Sequence, residues 1–516
     1  MYLTILEISQ KQAYIFESNK LRDNIINSAV IAWVMSAEYF EEKVAEHNAN
    51  TIFSKEKNIV YSGGGHTVLE FETKEQAHTF VKLITASIQK EYAGLEVFSK
   101  TEKYDNKLPA GENLKNLTKA LEQKKSKRVS AFHQGSFGVE KIDSKTLKPT
   151  LSEKPPCEGV MPKVEEVLDE KLSASAYGYE RVWKFEDLGG SKDISNFIAV
   201  VHIDGNAMGK RLEQLYQKNK ACSWEAYKKK LKRFSDSIDC DFKSAYQDMV
   251  EVVVKNLQSK NLDDLSIKEN KFPVRRIITA GDDICFVTEG RIGLECAIAF
   301  LKSLSAKQNA EDKLGYSACA GVAIVHQKYP FYRAYELAEQ LCTNAKKFGA
   351  TLHTERGGEI SSIDWHIEYG EMADTLEEIR AFYKTADEKQ LELRPYMVCA
   401  PKELAEQEKI RQYSHFKQLI TNIQNNELEY SKGRLKELRS ILKQGETATQ
   451  YYMRFHKIED IARDSYHGIF KEVDFSGIGS GKRLERKLFA ETSDKKQHSL
   501  LFDAIEMVDT FISLEY

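Results

Sequence analysis

The sequence predicts an α+β protein made of two copies of one β-α-β-β-α-β unit and a C-terminal helical domain. Three observations carry this. Short runs rich in β-branched residues alternate with helical stretches in the same order twice along the first 350 or so residues. A strand-turn-strand with glycine at its tip stands at the equivalent place in each copy, as Gly63-Gly64-Gly65-His66 and then as Ala280-Gly281-Asp282-Asp283. From about residue 369 onward, apolar residues recur at helical spacing.

The first copy opens with a strand over 2–8 and a helical pattern to about 47. A strand-turn-strand over 58–71, a helix over about 74–92, a strand near 95–101 and a helix around 111–125 complete it. In the second copy a strand over 197–203 leads into a helical stretch that runs, with insertions, from 208 to about 259. The hairpin of 272–288 follows, then a helix over 291–304, a strand over 316–325 and a helix over about 332–348. This order is the ferredoxin-like layout. The expected divisions are a first domain over 1–127, a linker or small insertion over 128–190, a second domain over 191–365 and the helical domain over 366–516. Within the linker, 145–163 is rich in lysine and proline. The basic run Lys124-Lys-Ser-Lys-Arg128 reads as a solvated helix end. Helices are expected over 376–386, 402–425, 428–443, 448–464 and 499–514. Gly477-Ile-Gly-Ser-Gly481-Lys482-Arg483 lacks the spacing of a phosphate loop and reads as a plain loop.

Composition narrows the function classes. The chain has 516 residues, 41% hydrophobic and 30% charged, which suits a globular protein of about three domains. A formal net charge of −3 argues against coating nucleic acid by bulk electrostatics. No apolar run approaches the ~20 residues that span a bilayer, and the N-terminus reads as a strand and not as a signal peptide. The eight cysteines are scattered singly, without a Cys-x-x-Cys, so neither a zinc knuckle nor a disulfide framework is expected. A reducing cytoplasm fits that usage.

The chemistry concentrates at two places. The hairpin Thr279-Ala-Gly-Asp-Asp283 sets two adjacent carboxylates at a tight turn between apolar strands. Carboxylates so close repel unless a cation sits between them, and hard cations such as Mg²⁺ or Mn²⁺ favour this oxygen chemistry. Upstream, the apolar run 197–203 delivers Asp204, followed by Gly205-Asn206-Ala207-Met208-Gly209-Lys210. An Asp at one strand end and an Asp pair on a neighbouring hairpin is the metal arrangement of palm-type nucleotidyl transferases and cyclases.

These residues resemble the Cas10/Cmr2 family, the large subunit of type III CRISPR effectors. The resemblance is carried by Asp204-Gly-Asn206-Ala-Met-Gly209, Ala280-Gly281-Asp282-Asp283, Ser317-Ala-Cys-Ala-Gly321 and Ala338-Glu-Gln-Leu-Cys-Thr-Asn-Ala-Lys346. Near the N-terminus it is carried by Gln12-Ala-Tyr-Ile-Phe16 and Asn19-Lys-Leu-Arg22. It spans roughly residues 1–365 and implies two palm domains of nucleotidyl cyclase (GGDEF-like) type. It further implies conversion of ATP to a cyclic or linear oligoadenylate messenger in antiviral defence, with Asp204, Asp282 and Asp283 as catalytic and metal-holding groups. Gly205, Asn206 and Gly281 would border the nucleotide, with Lys346 and then Lys210 on its phosphates. The implied partners are ATP, guide or target RNA, other Cas subunits and a second copy of the chain, with no membrane.

Departures from the family pattern shape the expectation. No His-Asp nuclease domain is expected ahead of the first palm, since Tyr2 already reads as its first strand, no cysteine-rich zinc element is found between the palms, and the glycine hairpin of the first palm lacks acids. That palm is expected to hold nucleotide or to act structurally. The competing reading is a catalytically silent scaffold for guide RNA and Cas subunits, which need not keep Asp204, Asp282 and Asp283 together. A GTP-using cyclase is disfavoured by the tandem palms and helical tail, and the net charge gives a template-dependent polymerase no support.

Overall fold

The computed structural model describes residues 1–92, 94–127, 139, 177–189, 196–265, 267, 270–352, 360–370, 375–399, 406–425, 431–458 and 488–516. Apolar residues of β1 (Tyr2–Ser9) are buried toward both faces, so this strand takes the middle of its sheet. It pairs antiparallel with β3 (His66–Phe71) and β4 (Glu96–Lys103), and β2 (Ile59–Gly63) lies outside β3. Helices Leu21–Val34, Ala37–Glu46 and Lys74–Glu91 share a core with Leu6 and Ile8 on one face, and Ala110–Ser126 shares the opposite core with Leu3 and Ile5.

The second sheet repeats this order. β5 (Phe197–Gly205) is central, between β8 (Ala318–His326) and β7 (Asp283–Glu289), with β6 (Val274–Ala280) outside β7. Two strands extend it: β9 (Ser362–Ile367), parallel to β8, and the short β10 (Tyr396–Met397). Helices Trp224–Gln258 and Gly293–Ser305 cover the face of Ala199, Val201 and Ile203, while Phe331–Thr351 covers the face of Ile198 and Val200. That second face is shared with the first palm, whose Phe16 ring lies 4.2 Å from that of Tyr335.

The 35-residue helix Trp224–Gln258 is capped by Ser223, whose side chain accepts from Ala226 N. It runs about 50 Å at 1.5 Å per residue and ties three regions together. At its start Trp224 and Lys228 bond Glu70 of β3, and near its end Asn256 Nδ2 donates to Glu515 O at 2.8 Å. The C-terminal segment is fixed to the second palm through buried Glu295, which accepts from Tyr413 Oη (2.6 Å), Lys417 Nζ (2.5 Å) and Leu514 N (2.9 Å).

The duplication extends to register. His66 opens β3 opposite Glu7, as Asp283 opens β7 opposite Asp204. Ile8 N donates to Gly65 O at 3.0 Å, as Gly205 N donates to Asp282 O at 3.2 Å. Gln10 and Ala207 both turn through the left-handed region, at φ 50° and 58°, before the helices Lys11–Ile15 and Met208–Lys218. On the other flank Glu7 faces Phe98 and Asp204 faces Cys319.

Several expectations are corrected. The strand pattern continues past residue 365, because β9 ends at Ile367 with Trp365 fully buried, and the region beyond also holds β10 and the hairpin Phe489–Glu491/Gln497–Ser499. The helix expected over 499–514 is only Phe502–Met507, and that over 402–425 divides into Glu406–Lys409 and Tyr413–Asn425. Of the linker, residues 177–189 pack on the second palm: Phe185 stacks on Phe331, and Arg275 lies over the Trp183 ring. Most of 128–176 and the loop over 477–483 fall outside the described residues. Among the described residues no helix is long and apolar enough to cross a membrane.

Gly321 sets how closely Phe331–Thr351 approaches β8. A Cβ there would sit 2.0 Å from Ala338 O and 2.4 Å from Cys342 N, both backbone atoms that cannot swing aside. Gly321→Ala is therefore expected to lower stability by about 1–3 kcal/mol through overpacking, read as an earlier thermal midpoint.

Candidate active site

Strand pairing builds the site. Asp204 lies near the end of β5, directly opposite Asp283 of β7 on one side and Cys319 of β8 on the other. Residues directly opposite in an antiparallel pair project to the same face, so Asp204 and Asp283 share one. Gly281 and Asp282 form the two-residue turn between Ala280 and Asp283, with Gly281 at φ 66°, a conformation that favours glycine. Gly205 lets that turn close in: a Cβ there would lie 2.9 Å from Asp282 Cβ and from Met208 Cε. The three predicted carboxylates are thus gathered at one end of the sheet. Asp204 and Asp283 side chains remain 39% and 40% exposed, open to a ligand from solvent.

Lys346 joins them from the helix Phe331–Thr351. Its Nζ donates to Asp204 Oδ2 at 2.5 Å and to Gly205 O at 3.1 Å. The predicted phosphate contact therefore rests on a carboxylate. Lys210 is exposed in the first turn of Met208–Lys218. Asn206 is buried and braces the scaffold: its Nδ2 donates to Ser317 Oγ (3.2 Å) and Ile360 O (3.3 Å), and its backbone N to Ser317 O (2.9 Å). That places the Asn206 amide under the site, and not at its surface as expected for a nucleotide contact.

The electrostatics follow from crowding. Surrounding protein desolvates both hairpin carboxyls, and the charge of Asp204 adds to this, raising Asp282 to about 6 and Asp283 to about 7. Lys346 opposes both shifts, and Lys11 opposes that of Asp283. Asp283 Oδ1 is buried without a hydrogen-bond partner. Two raised carboxyls beside Asp204, one of them with an orphaned oxygen, form a donor set suited to a hard divalent cation. Among the described residues no three His, Cys, Asp or Glu side chains already enclose such a position, and Asp204 is engaged by Lys346 instead.

Groups from the first palm reach this neighbourhood, and sequence reasoning did not find them. Lys11 Nζ donates to Gly64 O, and its Cδ lies 2.7 Å from where a Cβ on Gly65 would stand, so the side chain lies over the glycine hairpin. Gln12 Nε2 donates to Tyr335 Oη (3.1 Å) and to Glu339 Oε1 (3.2 Å), bridging the palms. The first palm is also not free of acids. Glu7 stands where the second palm has Asp204, and Lys125 Nζ bonds it at 2.9 Å, as Lys346 bonds Asp204. Lys125 follows Phe98 at the same chain spacing by which Lys346 follows Cys319. The basic run at 124–128 accordingly contains a paired lysine, because Lys125 turns back onto the sheet, where Glu7 draws it.

A profile of the Cas10/Cmr2 second palm domain matches residues 197–351, the segment that carries all three aspartates and Lys346. This segment is similar to the second palm of Cas10/Cmr2 proteins. Among solved structures, the chain is similar to a chain of the apo Csm1-Csm4 cassette, at 15% identity and a TM-score of 0.55, over 99% of this chain and 70% of that one. It is similar to the same cassette in complex with cA3, at 15% identity and 0.54 over the same shares, and in complex with pppApApA, at 14% and 0.54 over 91% and 67%. At such identities the likeness shows a shared fold. No curated protein matches the sequence.

The raised carboxyls make a pH prediction. Both fold with values above those of the unfolded chain, so the folded protein holds protons that the unfolded chain releases. Their contribution to stability is greatest below about pH 4 and declines as pH rises through about 6 and 7. In metal-free buffer Asp283→Asn is expected to melt a few degrees above wild type at pH 8, with the gap closing near pH 4. Thermal melts across that range check this.

Proposed function

We propose that the second palm is a metal-dependent nucleotidyl cyclase that converts ATP to a cyclic or linear oligoadenylate messenger. The observation that carries this reading is the convergence of Asp204, Asp282 and Asp283 beside Lys346 at one open end of the sheet. In the reaction a ribose hydroxyl attacks the α-phosphorus of ATP, a phosphodiester bond forms, and the bond to the bridging oxygen of pyrophosphate breaks. The hydroxyl proton passes to solvent. Asp204, Asp282 and Asp283 would hold Mg²⁺ or Mn²⁺, which acidifies the attacking hydroxyl and offsets charge on the phosphate oxygens.

The chain's own residues supply positioning. Lys346 sits where it can exchange the Asp204 carboxylate for β- and γ-phosphate oxygens, leaving Asp204 free for the cation. Gly205 and Gly281 keep the backbone low beside the carboxylates, which lets a triphosphate approach. Lys11 adds positive charge from the first palm on the same side as Asp283. The fold shared with Csm1-Csm4 cassettes crystallised with cA3 and with pppApApA supports an adenylate product. It likewise supports a partner subunit of that cassette type. Guide or target RNA and a second copy of the chain belong to the same proposal.

The test is incubation of the purified protein with each nucleoside triphosphate and Mg²⁺ or Mn²⁺, with products read by mass spectrometry. Adenylate products are expected, falling by about 10²-fold or more in Asp282→Ala/Asp283→Ala. Products that survive the double substitution overturn the assignment. A wild type that yields none alone turns the reading toward an obligatory partner complex or the silent scaffold.

A further inference from the structure

The reading above leaves one group beneath the site without a task. His202 lies on β5 two positions before Asp204, on the same face, and is buried. Its Nδ1 is 3.5 Å from Asp283 Oδ1, a little beyond a good hydrogen bond. Both atoms are buried and neither has a hydrogen-bond partner. Two buried polar atoms facing each other unbonded are both costly to leave so, and a small rotation of the Asp283 side chain joins them. The imidazole is also backed by a wall. The Tyr335 ring meets it edge-on, with centroids 5.5 Å apart at 75°, and Tyr335 Oη is in turn bonded by Gln12 of the first palm.

We propose that His202 is a positioning residue for Asp283. An Nδ1–H donated to Oδ1 fixes the rotation of the carboxylate and leaves Oδ2 free, so that Asp283 would be held ready for a divalent cation. The inference rests on the metal-site reading above. Supporting groups of this kind orient a ligand and commonly change metal affinity 10- to 100-fold when lost. The ordinary alternative is a histidine that fills core space, and the two make opposite predictions for two substitutions. Asn at 202 keeps a donor near the Nδ1 position but loses volume. Leu keeps apolar volume and loses the donor.

The experiment titrates Mn²⁺ into the full chain, wild type and variants, with free Mn²⁺ followed by electron paramagnetic resonance and metal-free thermal melts alongside. His202→Leu is expected to weaken Mn²⁺ binding about 10-fold or more, with His202→Asn within about threefold of wild type. Leu binding like wild type, or Asn as weak as Leu, overturns the inference while leaving the metal site standing. Wild type and Asp283→Asn binding Mn²⁺ alike overturns the metal reading itself, and this inference with it. A tautomer measurement on ¹⁵N-histidine-labelled wild type needs neither variant to be stable at high temperature. Assigned by loss of the signal in His202→Asn, the imidazole is expected to carry its proton on Nδ1, and a proton on Nε2 alone overturns the role.

Discussion

Two carboxylates set directly opposite each other on adjacent antiparallel strands repel, and the second palm is arranged around that repulsion. Asp204 and Asp283 occupy such a pair, with Asp282 in the turn beside them. The cation that offsets it from within the chain is Lys346, which can reach Asp204 only because its helix lies close on β8. That closeness depends on Gly321, where the backbones of helix and strand nearly touch. A packing detail deep in the sheet thus sets the charge balance at its open end.

The first palm shows the same problem solved differently. Glu7 occupies the position of Asp204, but its partner across the strands is His66, not a second acid, and the turn is Gly64-Gly65. Lys125 there bridges Glu7 and Glu122, at 2.9 and 2.8 Å. The second palm keeps two further acids, Asp282 and Asp283, whose ionisation remains unfavourable. The copies share register and differ in the residue opposite the shared acid, His66 in one and Asp283 in the other.

Much of this was legible in the sequence. Period-two and helical patterns located every strand of both four-stranded cores, and the Gly281-Asp282-Asp283 turn with the apolar run before Asp204 fixed the acids. What escaped depends on contacts between distant residues. Glu7 looks like a surface acid at the end of a strand until its pairing with His66 is known. Lys125 reads as one lysine of a solvated cluster, and only its approach to Glu7 separates it from Lys124, which bonds Ser99 O. β9 escapes a pattern reading because Ser361 and Ser362 stand at its start and Asp364 interrupts its apolar run. Asp364 is tolerated there because Arg380 and Asn344 bond it. Asn206 sits in an acidic position of the family motif, so the sequence suggested ligand contact where the structure gives it a bracing role.

The helix Trp224–Gln258 makes the molecule mechanically continuous. Anchored by Glu70 at one end and by the backbone of Glu515 at the other, it passes the glycine hairpin of the first palm, where Ser235 lies against Gly63. A stiff rod held at both ends transmits displacement with little loss. Whatever docks against the segment around Glu515 therefore pushes on the glycine hairpin of the first palm, without any chain of side-chain rearrangements between the two.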